Sequence, residues 1–65
     1  MYTEELETGV GFVVHNVRGT LEAVLKRVGE LFGQYHPLGY ATQANTIRYR
    51  DGRYEAVVWR AKSCD

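Results

Sequence analysis

The chain reads as an α+β fold: a single β-α-β-β domain in which one amphipathic helix packs on a three-stranded antiparallel sheet. Three observations predict it. One segment carries apolar residues at helical spacing, β-branched and aromatic segments flank it, and an Asp-Gly pair divides the second of these into a hairpin. At 65 residues the chain is read as one domain, 1–65, near the lower size at which a hydrophobic core outweighs lost chain entropy. Its 45% hydrophobic and 25% charged residues are the balance of an ordered domain.

The opening "MYTEELETG" has three glutamates and no clear periodicity, so residues 1–9 are expected to form a loose acidic arm with Leu6 docked on the body. From Val10, "VGFVVHNV" is β-branched and aromatic and predicts a strand. Its two sides are Val10, Phe12 and Val14 against Val13, His15 and Val17. A strand apolar on both sides is usually covered on both.

Leu21, Val24, Leu25, Val28, Leu31, Phe32 and Tyr35 then recur at spacings of three and four, which builds one continuous helical stripe. Thr20 is placed to accept a bond from a free N–H of the first turn, and Glu22 sits where the helix dipole favours negative charge. Glu22 with Lys26, and Lys26 or Arg27 with Glu30, stand on the opposite side at helical pair spacing. Gly33 is the expected stop, and Pro37 bars continuation. Gly29 lies inside the helical pattern and costs about 1 kcal/mol relative to alanine.

"HPLGYATQAN" is read as a loop into a second strand, about 44–50, and a third strand follows over about 53–62. Asp51-Gly52 between them is a strong hairpin signal, because a type I′ turn needs positive φ at both central residues. Counting outward pairs Arg50 with Arg53, Tyr49 with Tyr54, Arg48 with Glu55, Ile47 with Ala56 and Thr46 with Val57. Ile47, Tyr49, Tyr54, Ala56 and Val58 then face the helix as core. The other face holds Arg48, Arg50, Arg53, Glu55, Val57 and Trp59, with Val13 and Val17 alongside if the first strand pairs with the third. Residues 63–65 are read as a frayed tail.

That second face is more apolar than a small monomer usually leaves wet. A second copy of the chain would cover it and enlarge a marginal core. A foreign ligand is the other cover, and Trp59 folded over Arg48 in a cation–π contact would shield itself. The residues expected to form the interface or ligand surface are Val57, Trp59, Arg48, Arg50 and Arg53, with Tyr40 in a polar loop beside Thr42, Gln43 and Asn45.

Catalysis needs a titrating or attacking group tuned by a second one. His15 and His36 stand apart from each other and from carboxylates at metal spacing, so structural or surface roles are expected and no metal or cofactor is implied. Ser63 and Cys64 fall in the tail, where a nucleophile would lack support, and no phosphate-binding glycine loop precedes a helix. A single cysteine allows no internal disulfide, and no signal-type or membrane-length apolar run is present, so a soluble, unprocessed, cytoplasmic protein is expected. With 8 basic and 8 acidic residues the formal net charge is zero, and no global field draws the chain to nucleic acid or membrane.

The segments "FVV", "TLEAVLKRVGELF", "YHPLG" and "YEAVVWR" resemble small bacterial and phage domains of unknown function. Those domains run Y-K-V-V, S-L-E-E-L-E-x-x-V-N-E-L-L, G-W-x-P-x-G and Y-x-Q-A-L-V-K. The likeness spans about Phe12 to Lys62, and its most specific part is the aromatic-x-Pro-x-Gly motif at Tyr35, Pro37 and Gly39. This chain has Tyr35 for the usual tryptophan and no glycine before it. The resemblance implies a strand–helix–strand–strand fold and a non-enzymatic domain, carries over no catalytic residue, and points to phage or mobile-element genes.

The expected function is therefore a small non-catalytic interaction module, homo-oligomeric through the second sheet face and binding another macromolecule. Single-stranded nucleic-acid binding through Arg48, Arg50, Arg53 and Trp59 is the alternative, as is an oligomeric small-molecule binder.

Overall fold

The computed structural model describes residues 1–62. In chain order it has strands β1 (Tyr2–Gly9) and β2 (Phe12–Gly19), helix α1 (Leu21–Tyr35), a 3-10 turn (His36–Leu38), and strands β3 (Thr42–Ala44), β4 (Arg48–Arg50) and β5 (Arg53–Ala61). The sheet is antiparallel throughout, ordered β1-β2-β5-β3, with β4 also paired to β5. The α+β class holds, but the sheet has five strands rather than three.

The added strand is the acidic segment. Residues expected to form a loose arm pair with β2 along their whole length, from Tyr2 opposite Gly19 to Gly9 opposite Phe12. The turn between them is Val10-Gly11, so Val10, expected to open the strand, is instead fully exposed. Ladder hydrogen bonds to β2, rather than apolar side chains, hold β1 in place. Leu6 stays 59% exposed opposite His15 instead of docking. At the turn, a Cβ on Gly9 would stand 2.2 Å from the Phe12 ring. Gly9 is thus the gap over which that ring lies.

Thr20 caps α1 as expected, its hydroxyl accepting from the Ala23 N–H at 3.3 Å, with Glu22 in the first turn. The helix does not stop at Gly33. It runs to Tyr35, continues as the 3-10 turn with Pro37 in its opening, and ends at Gly39, whose φ of 89° reverses the chain. Val24 and Leu31 are fully buried against Val17, Ala56 and Val58, and Val28, Phe32, Tyr35, Ile47 and Tyr54 pack around them. Leu21 and Leu25 remain exposed. At ~100° per residue Leu25 stands on the flank away from Val24 and Leu31, whereas Leu21 is in line with Val28 and Phe32 and is open because it is the first residue of the helix.

Asp51 and Gly52 both have positive φ, 52° and 79°, and close the β4–β5 hairpin in the predicted register as far as Arg48 opposite Glu55. Beyond that point the single strand expected over 44–50 is broken. Asn45 spans the gap: its N–H donates to the Val57 carbonyl and its side-chain oxygen accepts from the Val57 N–H at 2.7 Å. Ile47 still reaches the core, whereas Tyr49, expected there, is 66% exposed and meets Tyr54 edge-on at 5.0 Å between ring centroids.

Candidate functional site

β2 and β5 are the two inner strands, and their register decides which side chains share a face. His15 lies opposite Val58 and Val17 opposite Ala56, so Val13, His15 and Val17 face α1. The face away from α1 instead takes Phe12, Val14, Asn16 and Arg18 from β2 with Glu55, Val57 and Trp59 from β5. Val13 and Val17, expected beside Trp59, are thus on the other side. The expectation was out of phase by one residue, which exchanges every side chain between faces.

On this outer face Phe12 and Trp59 stack at 6.1 Å between centroids with 25° between planes. Trp59 therefore rests on Phe12 rather than on Arg48, which pairs across from Glu55 further down the sheet. Val14 is directly opposite Trp59, and Val57 is the next residue of β5 on the same face. These four side chains are half-buried and form a continuous apolar strip. Below it Arg18, Arg48, Arg50 and Arg53 surround Glu55, whose carboxylate is 3.3 Å from Arg18 Nε and 3.8 Å from an Arg50 guanidinium nitrogen. On the outer strand β1, Glu5 and Glu7 point to this same face and are exposed. The face is thus apolar in its upper centre, acidic along one edge and basic at the lower end of the other.

The α1 side of the sheet carries a polar network that no sequence motif announced. Glu4 accepts from Arg27 Nε at 2.6 Å and from a second Arg27 nitrogen at 3.2 Å, and its Oε2 lies 2.7 Å from His15 Nδ1. Arg60 Nε is 2.9 Å from His15 Nε2, and its guanidinium lies 4.1 Å from the Tyr35 ring centre. Arginine has only donors, so His15 Nε2 accepts and the ring proton sits on Nδ1, directed at Glu4. His15 is 3% exposed with both nitrogens engaged. The Arg27 guanidinium, helped by His15 and opposed by burial, holds the Glu4 carboxyl below the ordinary glutamate range. Arg27, expected on the solvent side of the helix, instead reaches inward to β1, while its pairing with Glu30 at 3.5 Å is retained.

Tyr40 lies 5.6 Å from Tyr35 between ring centroids, donates its N–H to the Tyr35 carbonyl and accepts from Thr42 Oγ1 through its own carbonyl. It ties the end of α1 to the start of β3, and it also lines a hollow of about 330 Å³ with His36, Thr42 and Gln43. His36 is exposed in that turn. Among the described residues no three potential metal ligands come together, and Ser63 and Cys64 lie outside them. No helix among them is long and apolar enough to cross a membrane. No protein-family model matches the chain, and neither a curated protein nor a solved structure is significantly similar to it.

Proposed function

We propose that the chain is a small non-catalytic interaction module that self-associates through the outer sheet face and binds another macromolecule with its remaining surface. The observation that carries this is the strip of Phe12, Val14, Val57 and Trp59, on a face that no element of the described residues covers. A second copy is the favoured occupant because the face is charge-complementary to itself. A two-fold axis along the strands would lay the β1 edge of one copy, with Glu5 and Glu7, over the β3–β4 edge of the other. There Arg48 stands two residue positions along the register from the level of Glu5. Aligned sheet-on-sheet packing of this kind buries an apolar centre inside a charged rim. The residue resemblance to bacterial and phage domains supports the non-enzymatic part of the reading.

Sedimentation equilibrium tests it. The wild type is expected at a stable multiple of 7.4 kDa, and Trp59→Glu at the single-chain mass. Trp59 lies outside the buried core cluster, so the variant should still fold. A wild type that is monomeric at every concentration, or a variant that keeps the wild-type mass, refutes the proposal. Nucleic-acid binding is the second reading, favoured by Arg18 joining the three expected arginines on one face. It requires affinity for short single strands that falls steeply with salt.

A further inference from the structure

The lower end of the sheet, where β2 passes into α1 and the Asp51-Gly52 turn projects, has two adjoining hollows. One, of about 370 Å³, is lined by Arg18, Arg50, Arg53, Asp51 and Glu55. The other, of about 450 Å³ and mainly apolar, includes Tyr2, Leu21 and Tyr54 in its lining. Arg18 and Arg53 border both. Charged and apolar recognition surfaces therefore meet along a shared wall of guanidinium groups. We propose that this end of the sheet binds a small organic phosphate, its phosphate held by Arg18, Arg50 and Arg53 and its flat apolar body lying in the groove beside Tyr2 and Tyr54.

The internal pairing leaves capacity for such a ligand. Each guanidinium offers five N–H donors in a fork that matches phosphate oxygens. Glu55 meets Arg18 and Arg50 at 3.3 and 3.8 Å, well beyond the ~2.7–2.9 Å of a strong charge-assisted bond. The same chain closes Arg27 on Glu4 at 2.6 Å, so Glu55 holds Arg18 and Arg50 more loosely than Glu4 holds Arg27. Among the described residues Arg53 has no ion-pair partner. Glu55 holds the arginines together and competes with an incoming anion. Gly19 and Gly52 also border the groove and place no side chain in it. Its volume lies within the ~300–1,000 Å³ typical of small-ligand sites. The site lies below the Phe12–Trp59 strip, at the lower end of the same outer face, and its test is read from ligand binding rather than from the mass of the assembly.

Adenosine 5′-monophosphate, inorganic phosphate and adenosine serve as probes, with binding read from backbone amide shifts of Gly19, Gly52 and Arg53. The monophosphate is expected to bind about tenfold or more tightly than either part, and Arg53→Gln to weaken it by a similar factor. Glu55→Gln should tighten binding several-fold, because it removes the competing carboxylate. Arg48→Gln should leave it unchanged, which separates this cleft from a general basic field. A melting curve confirms that each variant is folded. The proposal is overturned if the monophosphate binds no better than inorganic phosphate, if it does not saturate, or if Glu55→Gln weakens it. A 5′-phosphorylated tetranucleotide that binds more tightly than the mononucleotide and depends on Arg48 would also overturn it, in favour of strand-end recognition.

Discussion

At Glu4 one carboxylate serves two elements, accepting from Arg27 of α1 and meeting His15 of β2. It is the polar tie between the outer strand and the helix. Glu4→Gln keeps the shape but removes the charge, and the loss is expected to be about 1.5–3 kcal/mol of stability. The pH dependence follows from the direction of the shift. The folded-state pKa of Glu4 is depressed, chiefly by Arg27, so its contribution is complete above the unfolded value of about 4.3 and disappears as pH falls through the lower folded value. Urea melts of wild type and variant should therefore differ most at neutral pH and converge in acid. A difference that stays constant to the lowest pH would mean that shape rather than charge sets the effect.

Among the elements, α1 offers the simplest substitution. A Cβ built at Gly29 meets nothing within 4 Å, and the residue lies mid-helix. Gly29→Ala should therefore stabilise the fold by about 0.5–1 kcal/mol, which thermal unfolding will show as a melting point raised by several degrees. The helix and the β4–β5 turn were legible in the sequence because their causes are local: a stripe at Val24, Val28 and Leu31, a hydroxyl at Thr20, and two residues that accept positive φ. β1 was hidden because backbone pairing to β2 holds it while its side chains are largely polar and exposed. The break between β3 and β4 was hidden because a side-chain hydrogen bond from Asn45 replaces the ladder there. Of the candidate interface, Val57, Trp59 and the arginines were placed correctly on one face. Their β2 neighbours were not, since a strand apolar on both sides gives no phase from composition alone.

For the whole molecule, self-association and folding should be linked. If the outer face is covered by a second copy, the assembled state gains stability by mass action, and the melting temperature rises with protein concentration. Differential scanning calorimetry over a hundredfold range of concentration is expected to show that rise for the wild type and a flat response for Trp59→Glu. A flat response for both would remove the coupling.

The strand order has a further consequence, in time rather than in space. β5 is the last strand of the described residues, yet β2, β3 and β4 all pair with it, and Ala56 and Val58 supply part of the fully buried cluster. The β1–β2 hairpin and α1 can form as the chain emerges from the ribosome, but Val17, Val24 and Leu31 have only one another to pack on until β5 brings Ala56 and Val58. Domains of this size ordinarily complete folding only once their distant partners are available. During synthesis the cluster of Val17, Val24 and Leu31 is therefore expected to stay half-closed until β5 follows, so the last step of folding waits on the last strand to emerge.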